Sequence, residues 1–95
     1  MSTSEAAEAT DALRAIAECL RHLACGYGLL PAERSACLRL LEAGIPGTDA
    51  AARSAAIKIL RSQRRPTSRQ RDRAAELSVR LAEQAETQRA RALDR

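Results

Sequence analysis

The apolar positions near the start of the chain repeat with the period of an α-helix. They follow one another at alternating steps of three and four residues, at Ala6, Ala9, Leu13, Ile16, Leu20, Leu23 and Tyr27. This spacing puts them on one face of a helix over about residues 5–26. Gly26 and Gly28 at its end favour a C-cap and a turn. Because the apolar side begins with alanine alone, we expect residues 1–10 to fray.

Two shorter helices are predicted next. Pro31 suits the first position of a helix, and Gly44 followed by Pro46 is a stop signal, so the second helix covers about residues 31–43. Its apolar residues occupy more than one face, which indicates packing between other helices. Thr48 is the expected N-cap of a third helix over about residues 48–62. The apolar face of this helix consists largely of small residues.

The C-terminal third of the chain gives a weaker pattern. Pro66 interrupts the third helix, and Thr67 or Ser68 can cap a fourth over about residues 67–89. Its apolar stripe is thin and consists of Ala74, Leu77, Leu81, Ala85 and Gln88. We interpret this helix as solvated or partner-dependent, and not as core. Residues 11–63 then form a three-helix module, and residues 64–95 form a basic extension that is helical in part.

Composition supports an all-α fold, with a short three-helix unit and an additional C-terminal helix. The 95 residues include 21 alanines and 12 leucines but only one valine, no phenylalanine and no tryptophan. Helix-forming residues therefore dominate, and the residues that favour sheets are scarce. A three-helix core rich in alanine and without large aromatic residues is small. We therefore infer that a partner chain, either a second copy or another protein, completes it.

Several functional classes are disfavoured by the same residues. No apolar run approaches the roughly 18 residues of a membrane helix, and the acidic N-terminus does not resemble a signal peptide. Cys19, Cys25 and Cys37 form no CxxC pair, and the chain has one histidine, so neither a zinc site nor a disulfide framework is expected. No phosphate-binding loop or nucleophile motif is present. We therefore predict a protein that is not an enzyme and takes no cofactor or small-molecule substrate.

The charge is divided unevenly along the chain. Residues 1–50 carry a net charge of −3 and residues 51–95 a net charge of +7. Between Arg53 and Arg73 there are eight basic residues and one acid. Such a stretch can bind phosphate or an acidic protein, although a solvated face is the more common explanation. No aromatic residues are interleaved for stacking on bases, so the stretch does not favour nucleic acid as the partner.

The second helix and its flanks resemble a known family. The chain runs Gly28-Leu29, then Ser35, Cys37-Leu38-Arg39-Leu40, Glu42 and Gly44-Ile45, with Ile57-Lys58 and Leu60-Arg61 further on. This pattern resembles the mitotic-spindle organizing protein 1 (MOZART-type) family, the small subunits of the gamma-tubulin ring complex. The resemblance covers about residues 11–62. It departs from the family at Arg34, where an apolar residue is expected, and in a longer segment between Pro46 and Ile57.

The resemblance implies a non-enzymatic adaptor. Members of the family intertwine with the N-terminal helical segment of a gamma-tubulin complex protein, support microtubule nucleation and recruitment, and present a surface to centrosomal tethering proteins. The implied location is the cytoplasm and cytoskeleton, at the microtubule organizing centre or spindle pole. Gly28 and Gly44 are assigned to helix caps or turns. The residues assigned to partner binding are Leu13, Ile16, Leu20, Leu23, Cys37, Leu38, Leu40, Leu41, Ile45, Ile57 and Leu60. For Leu13, Ile16, Leu20 and Leu23 an internal core is the alternative, and in an intertwined module that core is shared with the partner.

Two other functions remain open from the sequence. A small helix-turn-helix nucleic-acid-binding protein has the same order of elements, with a basic third helix after a glycine-containing turn. Two features argue against DNA binding. The carboxylate of Asp49, at the start of the third helix, would repel phosphate, and the alanines of that helix provide few side chains that read bases. The other alternative is a different helical protein-interaction module.

Overall fold

The computed structural model describes residues 3–62 and 65–93, and these residues form four α-helices without a strand. The helices are α1 (Thr3–Ala24), α2 (Pro31–Ala43), α3 (Ala50–Arg61) and α4 (Ser68–Leu93). The all-α prediction is confirmed, and the second helix has the bounds that the sequence predicts. Residues 1, 2, 63, 64, 94 and 95 lie outside the described residues. They belong to the ends of the predicted N-terminal segment, three-helix module and C-terminal extension.

The two long helices, α1 and α4, form an antiparallel pair that runs the length of the molecule. The Ser78 hydroxyl of α4 donates a hydrogen bond to the Ala17 carbonyl of α1, at 2.8 Å. Arg14 and Glu86 form an ion pair between the same two helices, at 2.6 Å. α1 is already helical at Thr3, the first described residue, and Ala6 is buried. These residues are helical where fraying was expected.

The interpretation of the fourth helix as solvated, and not as core, is wrong. Ala74, Leu77, Leu81 and Ala85 are all buried, and they join one hydrophobic cluster with the apolar face of α1. Residues at these steps of three and four lie on one face of a helix. Alanines at both ends of the stripe allow the helices to approach closely, so few large side chains are enough to fill the contact. α4 thus provides apolar surface that the sequence analysis assigned to a partner chain.

The two short helices, α2 and α3, pack side by side in opposite directions. Arg34, in the first turns of α2, donates hydrogen bonds to the carbonyls of Leu60 and Ser62 at the end of α3, both at 2.7 Å. Arg53, near the start of α3, donates to the carbonyls of Leu41 and Glu42 at the end of α2. Each helix thus donates hydrogen bonds to carbonyls at the C-terminal end of the other, where the intrahelical ladder of hydrogen bonds stops. This role explains an arginine at position 34.

The end of α1 is closed by Gly26 and not by Gly28. The Gly26 amide bonds to the Leu23 carbonyl and the Tyr27 amide to the His22 carbonyl, while Gly26 adopts φ +87°. These two bonds and the left-handed glycine define a Schellman motif. The rings of His22 and Tyr27 pack edge to face across it, with centroids 6.4 Å apart. Gly28, which the sequence assigned to a cap or a turn, does not share the positive φ and lies in the connection between α1 and α2.

The starts of α3 and α4 are capped by side chains. Asp49, and not Thr48 as expected, is the N-cap of α3, and its carboxylate accepts a hydrogen bond from the Ala51 amide at 3.1 Å. At α4 the Thr67 hydroxyl accepts from the Gln70 amide, and the Gln70 side chain accepts from the Thr67 amide. This reciprocal pair is a capping box. Residue 67 is thus one of the two caps that the sequence proposed.

We expect Thr67→Ala to lower the free energy of unfolding by about 1 kcal/mol, because the Gln70 amide loses its acceptor. The measurement is chemical denaturation followed by circular dichroism. Thr87→Ala is the matched control on the same helix, since Thr87 is exposed and bonds only to the carbonyl of Glu83. A loss of equal size in both variants would contradict the capping assignment.

Candidate functional site

An apolar groove opens where the first half of α1 passes the end of α2. Its volume is about 250 Å³. The lining consists of Glu5, Glu8, Ala9, Ala12, Leu40, Ala43, Gly44, Ile45 and Pro46. Six of these residues are apolar, and the two glutamates lie on the α1 side. A concave apolar surface with a charged edge suits the binding of an apolar side chain from another molecule.

Local sequence explains the shape of this groove. The alanines of α1 leave space because their side chains are short, while Leu40 projects from α2 and is 38% exposed. Gly44 is the C-cap of α2, as the sequence predicts, and its φ of +86° is one that glycine adopts at little cost. The chain then turns so that Ile45 is buried beside the opening.

The far end of the groove is fixed by α4. Gln88 is buried, and its side-chain amide donates a hydrogen bond to the Pro46 carbonyl at 2.9 Å. Arg80 of α4 also contacts the Asp49 carboxylate at 3.4 Å. The turn between α2 and α3 is therefore held against the long helix pair. Sequence reasoning missed this function of α4, and the only available signal was a glutamine at the end of its apolar stripe.

Most residues that the sequence assigned to partner binding lie inside the chain itself. The eight that are buried are Leu13, Ile16, Leu20, Leu23, Cys37, Leu41, Ile45 and Leu60. Leu38 and Ile57 are half-buried and pack against this cluster. Leu40 is exposed, and together with Ile45 it lines the groove. In this fold the buried residues contact the chain's own helices, so a second chain reaches the set chiefly through Leu40.

Several basic residues of the stretch from Arg53 to Arg73 have partners within the chain. Arg53 bonds to carbonyls of α2, Arg61 pairs with Glu42 at 2.8 Å, and Arg73 pairs with Glu76 at 3.0 Å. The last two pairs are exposed and contribute little to stability. They nevertheless place a carboxylate beside each of these arginines, which makes the arginine less available to bind phosphate.

The packing of α2 on α3 also differs from a helix-turn-helix unit. Helices of that motif cross at about 90–120°. Here the arginine contacts described above join both ends of α2 to the opposite ends of α3, which requires the two helices to run antiparallel along their length. An antiparallel hairpin of this kind does not present its second helix alone to a DNA groove.

The cysteines are free thiols in this structure. Cys25 is exposed, whereas Cys19 and Cys37 are buried and their Sγ atoms lie 2.9 Å apart. Among residues 3–62 and 65–93, no three histidine, cysteine or acidic side chains are grouped so that they could hold a metal ion.

Comparisons with known proteins returned no match: no family model, no curated protein and no solved structure is significantly similar to the chain. Within the described part of the chain, no helix has both the length and the apolarity needed to cross a membrane.

Proposed function

We propose that this protein is a non-enzymatic adaptor that binds the N-terminal helical segment of a gamma-tubulin complex protein. In this function it supports microtubule nucleation or recruitment at organizing centres, and it acts in the cytoplasm at the microtubule organizing centre or spindle pole. The observation that carries the proposal is the apolar groove beside Leu40. It lies at the end of α2, where Glu42, Gly44 and Ile45 provide the resemblance to the MOZART-type family.

The groove fits side chains of a partner helix better than a whole helix. Its volume of about 250 Å³ accommodates a few apolar side chains. A partner helix lying across the opening would insert such residues between α1 and α2, in the manner of amphipathic helices that bind hydrophobic grooves. Leu40 and the alanines of α1 then contact the apolar side of that helix.

Charge at the edge of the groove adds a requirement for the partner. Glu8 lies on its α1 side. Opposite charges across an interface speed association and fix orientation more than they add affinity. The bound helix should therefore carry lysine or arginine next to its apolar residues.

The geometry supports the nucleic-acid alternative less well. α2 and α3 form an antiparallel hairpin, and several arginines of the basic stretch pair with carboxylates or carbonyls of the chain. Salt-dependent retention of duplex DNA by the purified protein would nevertheless favour that alternative over the adaptor.

We expect Leu40→Asp to weaken binding to the helical segment of a gamma-tubulin complex protein by about 10–100-fold, as loss of a central apolar contact does. The measurement is titration of the purified full chain with that segment. Leu30→Asp is the matched control, because Leu30 is 66% exposed at the opposite end of α2, about 15 Å along the helix.

Two results would contradict this proposal. Equal binding by the two variants would exclude the groove as the contact surface. Failure of the unmodified chain to bind any gamma-tubulin complex protein segment would exclude the adaptor function itself. Circular dichroism of both variants separates lost binding from lost folding.

A further inference from the structure

Two thiols from different helices meet in the core, and the proposed adaptor function does not use them. Cys19 of α1 and Cys37 of α2 are less than a tenth exposed, and their Sγ atoms are 2.9 Å apart. A disulfide bond needs about 2.05 Å between sulfurs. A shift of about 0.9 Å, within the reach of side-chain rotation, would therefore join them.

We propose that Cys19 and Cys37 are a site of reversible oxidation, at which a hydroperoxide converts the two thiols to a disulfide that joins α1 to α2. This inference does not depend on the proposed function. The third cysteine, Cys25, is exposed, and it is closer to Cys19 in sequence than Cys37 is. An unfolded chain would close the shorter loop more readily, so selection of the Cys19–Cys37 pair is a property of the fold.

The two sulfurs differ in reactivity. The pKa of the Cys37 thiol is lowered, because the hydrogen bond from the Cys19 thiol stabilises the Cys37 thiolate. The pKa of the Cys19 thiol is raised, because of its hydrogen bond to Cys37 and because burial disfavours its charged form. Since the thiolate is the nucleophile, the lowered pKa favours Cys37 as the thiol that reacts with the oxidant and Cys19 as the resolving thiol.

The chemistry balances with one molecule of hydrogen peroxide. The Cys37 thiolate attacks a peroxide oxygen, the O–O bond breaks, and hydroxide leaves and takes up a proton to become water. The Cys37 sulfenic acid is then attacked by the sulfur of Cys19, which loses its proton. The S–S bond forms as the S–O bond breaks, and the departing hydroxide takes up the proton lost by Cys19 to become a second water molecule. Two thiols are oxidised, and the peroxide is reduced to two waters.

The cross-link would raise the thermal stability of the chain. It joins residues 18 positions apart and so restricts the unfolded chain without requiring a rearrangement of the folded one. For a chain of this size we expect an increase in Tm of about 10–20 °C.

The test treats the reduced full-length chain with hydrogen peroxide and measures its intact mass and its reactive thiols. We expect a loss of about 2 Da, one remaining thiol that reacts with maleimide, and a peptide cross-linked between Cys19 and Cys37. Cys25→Ser should give the same loss, while Cys37→Ala should not. In denaturant the main product should change to the Cys19–Cys25 pair, and a thiol reductant should reverse the native product.

Three results would overturn the proposal. The first is a native chain that gains oxygen at either buried cysteine without forming the cross-linked peptide. The second is a native chain whose only disulfide joins two copies through Cys25. The third is a Cys25→Ser variant that remains fully reduced under conditions that oxidise exposed thiols.

Discussion

Replacing Leu81 with alanine should lower the free energy of unfolding by about 2–5 kcal/mol. Leu81 lies in the middle of α4, is fully buried, and belongs to the hydrophobic cluster that α4 shares with α1. Its truncation removes apolar surface and leaves a cavity in a contact that has few large side chains to rearrange into it. The measurement is urea denaturation of the purified chain, with the change read from the midpoint at constant slope.

Val79→Ala is the matched control for this prediction. Val79 lies two residues away on the same helix and is 58% exposed, so its truncation should change stability by no more than about 0.5 kcal/mol. If Leu81→Ala were as mild as Val79→Ala, α4 would be a solvated extension, as the sequence alone suggested. The experiment therefore decides between the two descriptions of the C-terminal third of the chain.

Replacing Leu41 with aspartate should destabilise the isolated chain by about 3–5 kcal/mol, which is a large fraction of the stability of a small domain. Leu41 is almost completely buried within α2 and packs in the central cluster. A carboxylate there loses its hydration inside an apolar cluster, so either the charge is buried or the helix leaves the core. Thermal unfolding of the purified variant measures the loss.

Leu40→Asp separates this effect from partner binding. Leu40 is the neighbouring residue and is 38% exposed, so its change should leave most of the stability intact while it weakens binding in the groove. Leu41→Asp should destabilise the chain whether or not a partner is present. Near-normal stability of Leu41→Asp would instead mean that this leucine contacts another chain, as the sequence analysis assumed.

The regular parts of the fold could be predicted because they depend on local chemistry. Pro31 and Gly44 begin and end α2 through fixed backbone preferences that no distant residue overrides. The exact caps were harder to choose. Thr48 and Asp49 are both good capping residues, and the helix begins after the second, whose carboxylate bonds to the Ala51 amide. Gly26 and Gly28 presented the same choice at the end of α1.

The packing of α4 was not predicted because the apolar side chains of its stripe are mostly small, and the sequence does not show that small residues of α1 lie opposite them. Among the described side chains of α4, Leu77 and Leu81 are the only large apolar ones that are buried, with Ala74 and Ala85 beyond them. Small residues contribute little apolar area, so a composition count undervalues them. They become effective where another helix also presents small residues, as α1 does with Ala9 and Ala17.

The candidate site was predicted only in part for a related reason. An apolar stripe on a helix identifies which residues become buried but not which chain buries them. Leu13 and Leu20 were predicted to be either core or partner contacts, and in the structure they pack in the chain's own hydrophobic cluster. Leu40, which is exposed in the groove, is the sequence neighbour of Leu41, and the two side chains point about 100° apart around α2, so that only Leu41 enters the cluster.

By itself the sequence determined that this chain is helical, where α2 begins and ends, and that one face of α1 is apolar. These properties follow from backbone preferences and from the helical period, which act over a few residues. The tertiary structure alone decided that α4 completes the core and that the thiols of α1 and α2 come into contact. It also decided that Arg34 of α2 donates to carbonyls of α3, and Arg53 of α3 to carbonyls of α2. Each of these depends on contacts between residues distant in the chain, and such contacts leave no local pattern.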